Sequence, residues 1–434
     1  MKIHSQYTQL NLYKLYLGFV TINLIILVLP LFCVAEWNDR KPLPVQITTV
    51  IKRSHNERGV RRLVRIKGTT ICLADGVGNK EYHEGIYRTD NNGKSWQLIG
   101  AQKGSCRGTI VTGPDEMVYV FWISVNEPSG ILLTKFKYNE QPPEPELIYN
   151  GYIKSVGYDL GYQDTSAAVD KNGNIYFVAH FATFEGGVDR VWMIKSINRG
   201  ASWSKLKEVV YVKGTSFAYP SLEVDHKGNL ILCLAQHSPV FNGGRKDKDK
   251  RIYFMKSRDF GETWGKLIQV DDSRGPFMVY NPCLIEDKQN TLYIFAQRAW
   301  NGLVMAKSND GGATWSGFSI IIPTSNYADP SPAVGEDGTL YVTYRGDRLC
   351  GDSQANNWRN CMAHSKDHGK TWGIVDLYCG QGRVGPAGAV RYANWWNYGG
   401  PLEWSWEQWL SSNGKIRPVY YDINLEIMIW DRLK

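Results

Sequence analysis

The sequence predicts an all-β protein built from repeated antiparallel sheets, and two kinds of repeat support this. An eight-residue pattern, Ser/Thr-x-Asp/Asn-x-Gly-x-Ser/Thr-Trp, occurs at residues 89–96, 196–203, 257–264, 308–315 and 365–372. In a tight turn, the Asp or Asn side chain bonds nearby backbone N–H groups and the Gly supplies a positive φ. We expect the Trp ring, which buries a large apolar area, to fasten each turn to its own sheet.

The second repeat is a pair of apolar runs joined by a hairpin signal rich in Asp, Asn and Gly. These signals stand at residues 170–173, 225–228, 287–290 and 336–338. The runs that follow them are residues 175–178, 230–233, 292–295 and 340–343. Because these runs are continuously apolar, they predict strands that are buried on both faces, as in sheets stacked against one another.

The eight-residue pattern resembles the Asp-box, or bacterial neuraminidase repeat, of the sialidase superfamily. In that family the box is a hairpin turn between the third and fourth strands of a β-propeller blade, away from the active site. The resemblance therefore implies a β-propeller fold for residues 36–434 and a structural role for the boxes.

Spacing of the boxes sets the expected number of blades. The first interval is about twice the others, and a degenerate unit without a box fits inside it, at residues 109–133. A further unit follows the last box, at residues 388–392, 417–421 and 426–430, and lacks one strand. We expect the strand at residues 45–51 to supply it, closing the ring and removing exposed sheet edges. This predicts seven four-stranded blades, with six, the sialidase number, as the alternative.

Composition favours an anionic partner. Lys and Arg number 50 against 42 Asp and Glu, so the net charge is +8. Aromatic residues make up 13%, which suits sugar stacking as well as blade cores, and we find no nucleic-acid motif. No cysteine spacing typical of zinc appears, so neither a metal nor a cofactor is expected, although calcium remains open. Cys350 and Cys361 are the candidate disulfide, whereas Cys72, Cys233 and Cys283 lie in predicted strands as buried thiols.

The N-terminal segment predicts export. Residues 15–35 are almost wholly apolar and follow Lys2 and Lys14, so residues 1–35 are a signal peptide or a membrane anchor. We expect a secreted, periplasmic or cell-surface protein, attached to the membrane through residues 15–35 if the segment is retained.

Candidate site residues come from two loop sets that share one face of a propeller and converge on its axis. The positions after the second strands are Asp75, Ser124, His180, His237, Arg298, Arg345 and Asp422. The positions before the first strands are Arg62, Arg107, Asp164, Tyr219, Asn281 and Asp329. Together they predict a polar, basic pocket.

The leading hypothesis from the sequence is a sialidase-like glycosidase acting on an anionic glycan. An arginine fork binds a carboxylate in bidentate fashion, and the resemblance matches Arg298 and Arg345 to two members of the sialidase arginine triad. Arg62 is the nearest match to the third, without the family's Pro, while Arg107 and Asn281 are further candidates for substrate binding. Asp75 or Asp164 would supply an acid, and Tyr420 or Tyr421 a nucleophile.

Two alternatives remain open. A polysaccharide lyase that cleaves a uronic-acid glycan by β-elimination needs a neutralised carboxylate, a base and an acid. His180, Tyr219, His237 and Arg298 are suitable residue types, and the Tyr219–Pro220 segment is similar to one in seven-bladed Asp-box lyases. The third hypothesis is a non-catalytic propeller that binds a glycan or a protein, because fold alone does not decide function.

Overall fold

The structure is a computed structural model in which all regular structure within the described residues is β-strand. The described residues are 43–46, 63–75, 83–90, 97–103, 105–124, 128–153, 165–181, 183, 190–213, 215–237, 251–271, 279–298, 302–323, 330–334, 338–347, 358–376, 419–421 and 426–429. This confirms the predicted all-β class. Within these ranges there is no helix long and apolar enough to cross a membrane.

The strands, numbered along the chain from β1 (Leu43–Gln46), form six four-stranded antiparallel sheets in the described part. The first sheet contains β2 (Leu63–Ile66), β3 (Thr69–Asp75), β4 (His83–Thr89) and β5 (Gln97–Lys103). The second contains β6 (Ser105–Thr112), β7 (Met117–Ser124), β8 (Gly130–Lys137) and β9 (Glu146–Asn150). The third contains β10 (Thr165–Val169), β11 (Ile175–Phe181), β12 (Arg190–Ser196) and β13 (Lys207–Glu208). Each sheet keeps its strands in chain order, and the second is the degenerate unit expected from the sequence.

The next three sheets repeat the same arrangement. The fourth contains β14 (Ser216–Val224), β15 (Leu230–His237), β16 (Ile252–Ser257) and β17 (Ile268–Gln269). The fifth contains β18 (Val279–Glu286), β19 (Leu292–Arg298), β20 (Gly302–Ser308) and β21 (Ser319–Ile322). The sixth contains β22 (Ser331–Val334), β23 (Leu340–Asp347), β24 (Trp358–Ser365) and β25 (Gly373–Asp376). Four-stranded antiparallel sheets repeated in this way are consistent with a propeller.

A further sheet joins strands from the two ends of the chain. In it, β27 (Glu426–Ile429) pairs with β26 (Val419–Tyr421) on one side and with β1 on the other. The described N-terminal strand, Leu43–Gln46, overlaps the strand expected at residues 45–51, of which residues 47–51 lie outside the described residues. The strand expected at residues 388–392 lies outside the described residues.

The second strands are buried on both faces, as their apolar runs predict. Every residue of β11 is buried, and its alternate side chains enter two different clusters. Phe177 and Phe181 pack with the second sheet, where Phe121 stacks on Phe177 at 4.7 Å between ring centroids. Tyr176 and Val178 pack with the fourth sheet. The second to fifth sheets therefore each bury one face against the preceding sheet and the other against the following one.

The first strands of neighbouring sheets lie side by side and are joined by hydrogen bonds. The backbone N–H of Leu222 in β14 donates to Ser166 Oγ in β10 at 3.1 Å. The N–H of Leu284 in β18 donates to Ser221 Oγ in β14 at the same distance. Because contacts between successive sheets run through their first strands, these strands form the inner edges of the stack.

The eight-residue turns have the predicted hydrogen bonds. In the turn at residues 308–315, Gly312 N–H donates to Ser308 Oγ at 2.8 Å and Thr314 N–H donates to Asp310 Oδ1 at 2.9 Å. The turns at residues 196–203, 257–264 and 365–372 repeat both bonds. The Gly of each turn has a positive φ, as expected, and so does the residue before it.

Three of the turn tryptophans correct one expectation, because they contact the preceding sheet and not only their own. Trp203 lies edge-on to Phe121, Trp315 lies edge-on to Phe254 of β16, and Trp372 lies edge-on to Phe295 of β19. The physical reason is that these three turns lie over the seam between two sheets, where an aromatic side chain of the preceding sheet is available. The turns therefore hold neighbouring sheets together.

The cysteine prediction is confirmed where it can be compared. Cys72, Cys233 and Cys283 are buried thiols that are not in a disulfide. Cys361 lies in β24, and Cys350 lies outside the described residues.

Gly312→Ala should destabilise the protein much more than Gly228→Ala. Both glycines have a positive φ, +93° and +82°, so alanine strains the backbone at each. At Gly312 the new Cβ would also overlap the Phe254 ring, whereas nothing lies within 4 Å at Gly228. We expect losses in the free energy of unfolding of about 1 kcal/mol at Gly228 and more than about 2 kcal/mol at Gly312. Urea unfolding with an unchanged slope measures both, and equal losses would contradict the packing of the turn on Phe254.

Asp310→Asn should reduce the amount by which the free energy of unfolding falls on acidification. Hydrogen bonds from Thr314, first from its hydroxyl and then from its backbone N–H, lower the pKa of Asp310 from 3.8 to about 2. A carboxylate with a lowered folded-state pKa stabilises the fold above its unfolded-state pKa, and this contribution is lost as the pH falls toward 2. Asn198 occupies the equivalent position and accepts the same backbone bond at 2.9 Å, so an amide fits. Unfolding free energies measured from pH 5 to pH 2 should fall less steeply in the variant, and an unchanged slope would contradict the assignment. Glu144→Gln, at an exposed residue outside the turns, is the control.

Candidate functional site

The candidate residues belong to one end of the sheets, where second strands finish and first strands begin. We call this the site end, and the end with the eight-residue turns the turn end. In the described part, Asp75 ends β3, Ser124 ends β7, His237 ends β15 and Arg298 ends β19. Arg62, Asp164, Asp329 and Asp422 lie outside the described residues.

The first-strand candidates fall at one equivalent position, which is a β-bulge rather than a strand start. The pairing of β6, β14 and β18 with their second strands is interrupted between Cys106 and Thr109, between Ala218 and Ser221, and between Tyr280 and Cys283. In each case two residues of the first strand lie opposite one residue of the second strand. The first of the two residues is Arg107 in β6, Tyr219 in β14 and Asn281 in β18. Bulges re-aim a side chain away from the regular alternation and are common next to active sites.

Two of these bulges have an unusual backbone. Tyr219 has a φ of 55° and Asn281 a φ of 53°, and each is followed by a proline. A left-handed conformation costs a residue with a Cβ about 1 kcal/mol or more. The surrounding strand pairing holds both residues in this conformation, which turns their side chains out of the series formed by their neighbours.

The second-strand candidates do not occupy one position, which corrects the expectation that they share the same point of successive blades. Counting from the turn, equivalent places in the third to sixth sheets are held by His180, Ala235, Gln297 and Arg345. Arg298 therefore lies one residue further along its strand than His180 and Arg345, and His237 lies two residues further. The physical reason is that β15 and β19 continue for different lengths beyond the last equivalent pair.

Strand alternation decides which seam each described side chain faces. In β11, His180 continues the series of Tyr176 and Val178, so it faces the seam between the third and fourth sheets, where it is only 6% exposed. In β19, Arg298 continues the series of Ile294 and Ala296, so it faces the seam between the fourth and fifth sheets.

Tyr219 packs against the apolar cluster of that same seam between the fourth and fifth sheets. Both Tyr219 and Arg298 are partly exposed. The fold thus brings a phenol and a guanidinium from different sheets to one seam at the site end, with an imidazole in the adjacent seam. In the sixth sheet, the backbone of Arg345 in β23 lies opposite Asn360 of β24.

The sequence analysis missed a buried amide beside Arg298. Gln297 is fully buried, and Asn281 Nδ2 donates to its Oε1 at 3.3 Å. This bond ties the bulge of β18 to the end of β19. The sequence signal that could have identified Gln297 is its polar side chain in an otherwise apolar second strand.

No metal-like grouping occurs here. Within the described ranges, no three His, Cys, Asp or Glu side chains are placed to hold a metal ion.

Comparisons with known proteins agree with this architecture. No family model and no curated protein matches the sequence. Among solved structures, an ulvan lyase of polysaccharide lyase family PL25 aligns with a TM-score of 0.60 at 12% identity, over 90% of this chain and 96% of its own. The chain therefore shares the fold of this lyase. A structure of such a lyase bound to -[GlcA(1-4)Rha3S]- aligns with a TM-score of 0.59, at the same identity and the same coverage of both chains.

Two further matches have lower scores. A protein of unknown function from Dyadobacter fermentans aligns with a TM-score of 0.51 at 13% identity, over 76% of this chain and 95% of its own. Trypanosoma rangeli sialidase in complex with 2,3-difluorosialic acid reaches 0.48 at 14% identity, over 85% of this chain and 59% of its own. At these identities the likeness shows the fold alone.

Asn281→Ala should destabilise the protein more than Asn281→Gly. Both variants lose the bond to Gln297, but only alanine keeps a Cβ in the left-handed conformation without the polar side chain that tolerates it. We expect the two to differ by about 1 kcal/mol in the free energy of unfolding, glycine being the more stable. Chemical denaturation measures the difference, and an equal or more stable alanine variant would show that the bulge is not strained.

Proposed function

We propose that this protein is a carbohydrate-active enzyme that cleaves a uronic-acid-containing glycan by β-elimination. The observation that carries the proposal is the placement of Tyr219 and Arg298 along one seam at the site end, with both side chains partly exposed. The whole-chain likeness to an ulvan lyase whose structure holds a glucuronic acid–rhamnose sulfate unit supports the choice of substrate class. The net charge of +8 supports an anionic substrate.

Arg298 is assigned to the sugar carboxylate. A guanidinium forms two parallel hydrogen bonds to a carboxylate and neutralises its charge. Neutralisation acidifies the proton on C5, next to the carboxylate, because the carbanion formed on its removal is then better stabilised. A lysine, which offers a point charge instead of a planar fork, reproduces this only in part.

Proton transfer is assigned to Tyr219 and His237. In the elimination, a base removes the C5 proton, the C4–C5 double bond forms, and the C4–O bond breaks as an acid protonates the leaving oxygen. Tyr219 is held at a bulge that re-aims its side chain, and His237 ends the strand that pairs with β14. His180 is buried, so we assign it a positioning role in the adjacent seam.

Sialidase-like hydrolysis remains the alternative that the same assays test. It draws on Arg298 and Arg345 together, and these residues differ by one position in register. A glycan-binding propeller without catalysis is the third outcome.

We also infer the number of blades in the whole chain and the cellular location of the protein. The pairing of β1 with β27 supports a ring of seven blades that is closed by strands from both ends of the chain. The apolar residues 15–35, preceded by Lys2 and Lys14, support export, with the propeller at residues 36–434 outside the cytoplasm.

Arg298→Ala should lower kcat/KM on a uronate glycan by at least about 100-fold, or roughly 2.7 kcal/mol of transition-state stabilisation. Arg298→Lys should retain part of the activity. The measurement is the rise in ultraviolet absorbance of the unsaturated uronate, over a panel that includes glucuronic acid–rhamnose sulfate glycans. Arg199→Ala, at an exposed residue of the turn end, is the control and should keep full activity. An unchanged kcat/KM for Arg298→Ala would remove this residue from the site.

Tyr219→Phe and His237→Ala should each lower kcat by roughly 10²–10⁴-fold. Tyr219→Phe removes only a hydroxyl, so substrate binding should be nearly unchanged in that variant. Cleavage of a fluorogenic sialoside without any absorbance rise would replace the lyase by the hydrolase. Binding of a glycan with no cleavage in either assay would favour the third hypothesis, a glycan-binding propeller without catalysis.

A further inference from the structure

A polar groove lies between the fourth and fifth sheets at the turn end. It encloses about 980 Å³. Its walls are the turns that follow β14 and β16 in the fourth sheet and β18 and β20 in the fifth. Small-molecule sites occupy roughly 300–1,000 Å³, so the groove has room for a short stretch of sugar chain. It lies about 23 Å from the candidate site, which is the length of β15 at about 3.3 Å per residue.

The fourth sheet contributes three exposed cations to this groove, Lys227, Arg258 and Lys266. Within the described part of the chain, none of the three forms an ion pair. They come from three different segments, namely the hairpin after β14, the start of the eight-residue turn and the segment after its Trp. Positive charge from separate segments thus lines one cavity, which is unlike a run of charges along a single solvated strand.

The acidic groups of the groove are already bound to other residues. Asp225 is ion-paired with Lys256 at 2.6 Å. Glu286 accepts the backbone N–H of His226 at 2.7 Å, and its other oxygen lies 2.6 Å from the ring of the same histidine. Asp310 accepts hydrogen bonds within its own turn. These carboxylates keep their negative charge, but their oxygens already bind donors of the protein, whereas Lys227, Arg258 and Lys266 are exposed to meet a ligand.

The opposite wall offers groups that suit sugar hydroxyls and rings. Gln289, Asn290 and Asn309 of the fifth sheet line the groove with amides, which both donate and accept hydrogen bonds. Trp264 of the fourth sheet also lines it and is partly exposed. An indole presents a flat apolar surface with a polar edge, and the C–H face of a sugar ring packs on such a surface.

This seam differs from the two seams before it. There, a lysine of the third strand bridges to the next sheet: Lys135 Nζ donates to the Gly200 carbonyl at 2.9 Å, and Lys195 Nζ donates to the Phe260 carbonyl at 2.7 Å. Lys256, which like Lys195 directly precedes the turn serine, binds Asp225 of its own sheet instead. Lys256 therefore forms its ion pair within the fourth sheet, and it lines the groove.

We propose that this groove is a second, non-catalytic binding site for an anionic glycan chain. Lys227, Arg258 and Lys266 bind sulfate or carboxylate groups, while the amides and Trp264 contact the sugar rings. The choice of a glycan as ligand rests on the proposed function, but the groove and its charges do not. A polymer held at the turn end raises the effective concentration of its other segments at the site end.

The test compares two triple variants of the full chain that lose the same charge. Lys227→Ala/Arg258→Ala/Lys266→Ala removes the groove cations, and Lys171→Ala/Lys205→Ala/Lys213→Ala removes three exposed lysines of the hairpin, turn and outer segments of the third sheet. The probe is a dextran sulfate oligosaccharide, titrated calorimetrically. It contains no uronic acid, so binding is measured independently of elimination.

We expect the groove variant to bind dextran sulfate at least 10-fold more weakly, and the control within twofold of the wild type. Asn309→Ala should weaken binding of dextran sulfate several-fold. The turn itself should still form, because other turns carry Ile197 or Lys366 at this place. The groove variant should keep its kcat on a short uronate substrate. Unfolding midpoints confirm that each variant folds.

Three results would overturn the site. Equal losses in the two triple variants would mean that only net charge matters, and no loss in either would mean that the probe binds elsewhere. Binding of a single-stranded DNA oligonucleotide with equal affinity and the same dependence on the groove cations would exclude recognition of a glycan. None of these results bears on elimination, which is judged by the absorbance assay alone.

Discussion

Burial of both faces of the second to fifth sheets is the constraint on which the described structure depends. Strands such as β11 expose none of their side chains, and the apolar clusters combine residues of two neighbouring sheets in each case. A single sheet of this kind would leave an apolar face in water at about 25 cal/mol per Å². Each sheet is therefore stable only between two others, and the polar chemistry of the protein is confined to the ends of the sheets and to the seams that open there.

Much of the architecture could be predicted because its signals are local. The glycine and the Asp or Asn of the described eight-residue turns act within the turn itself, so their positive φ and hydrogen bonds follow from the sequence. The placement of the tryptophan could not be predicted in the same way. Trp315 contacts Phe254 of the preceding sheet, and a pattern within one repeat does not say which neighbour its ring will meet.

For a related reason, the sequence predicted the bulge residues of the candidate site but not the register of its second-strand residues. Tyr219–Pro220 and Asn281–Pro282 mark equivalent bulges, because a proline follows the re-aimed residue in both strands. The sequences at the ends of two second strands, β15 and β19, match in a misleading way. Ala-Gln-His at the end of β15 looks equivalent to Ala-Gln-Arg at the end of β19, yet the pairing aligns Ala235 with Gln297. One additional residue in β15 shifts the register, and strand length is not encoded by any local motif.

The turns at residues 196–203, 257–264, 308–315 and 365–372 all make their inter-sheet contacts in one direction. Their glycines lie against Leu133, Met193, Phe254 and Met305 of the preceding sheets, and three of their tryptophans contact aromatic rings of those sheets. A ribosome completes the preceding sheet first, so each turn emerges when its docking surface already exists. Such a chain can assemble vectorially, each repeat being templated by the one made before it.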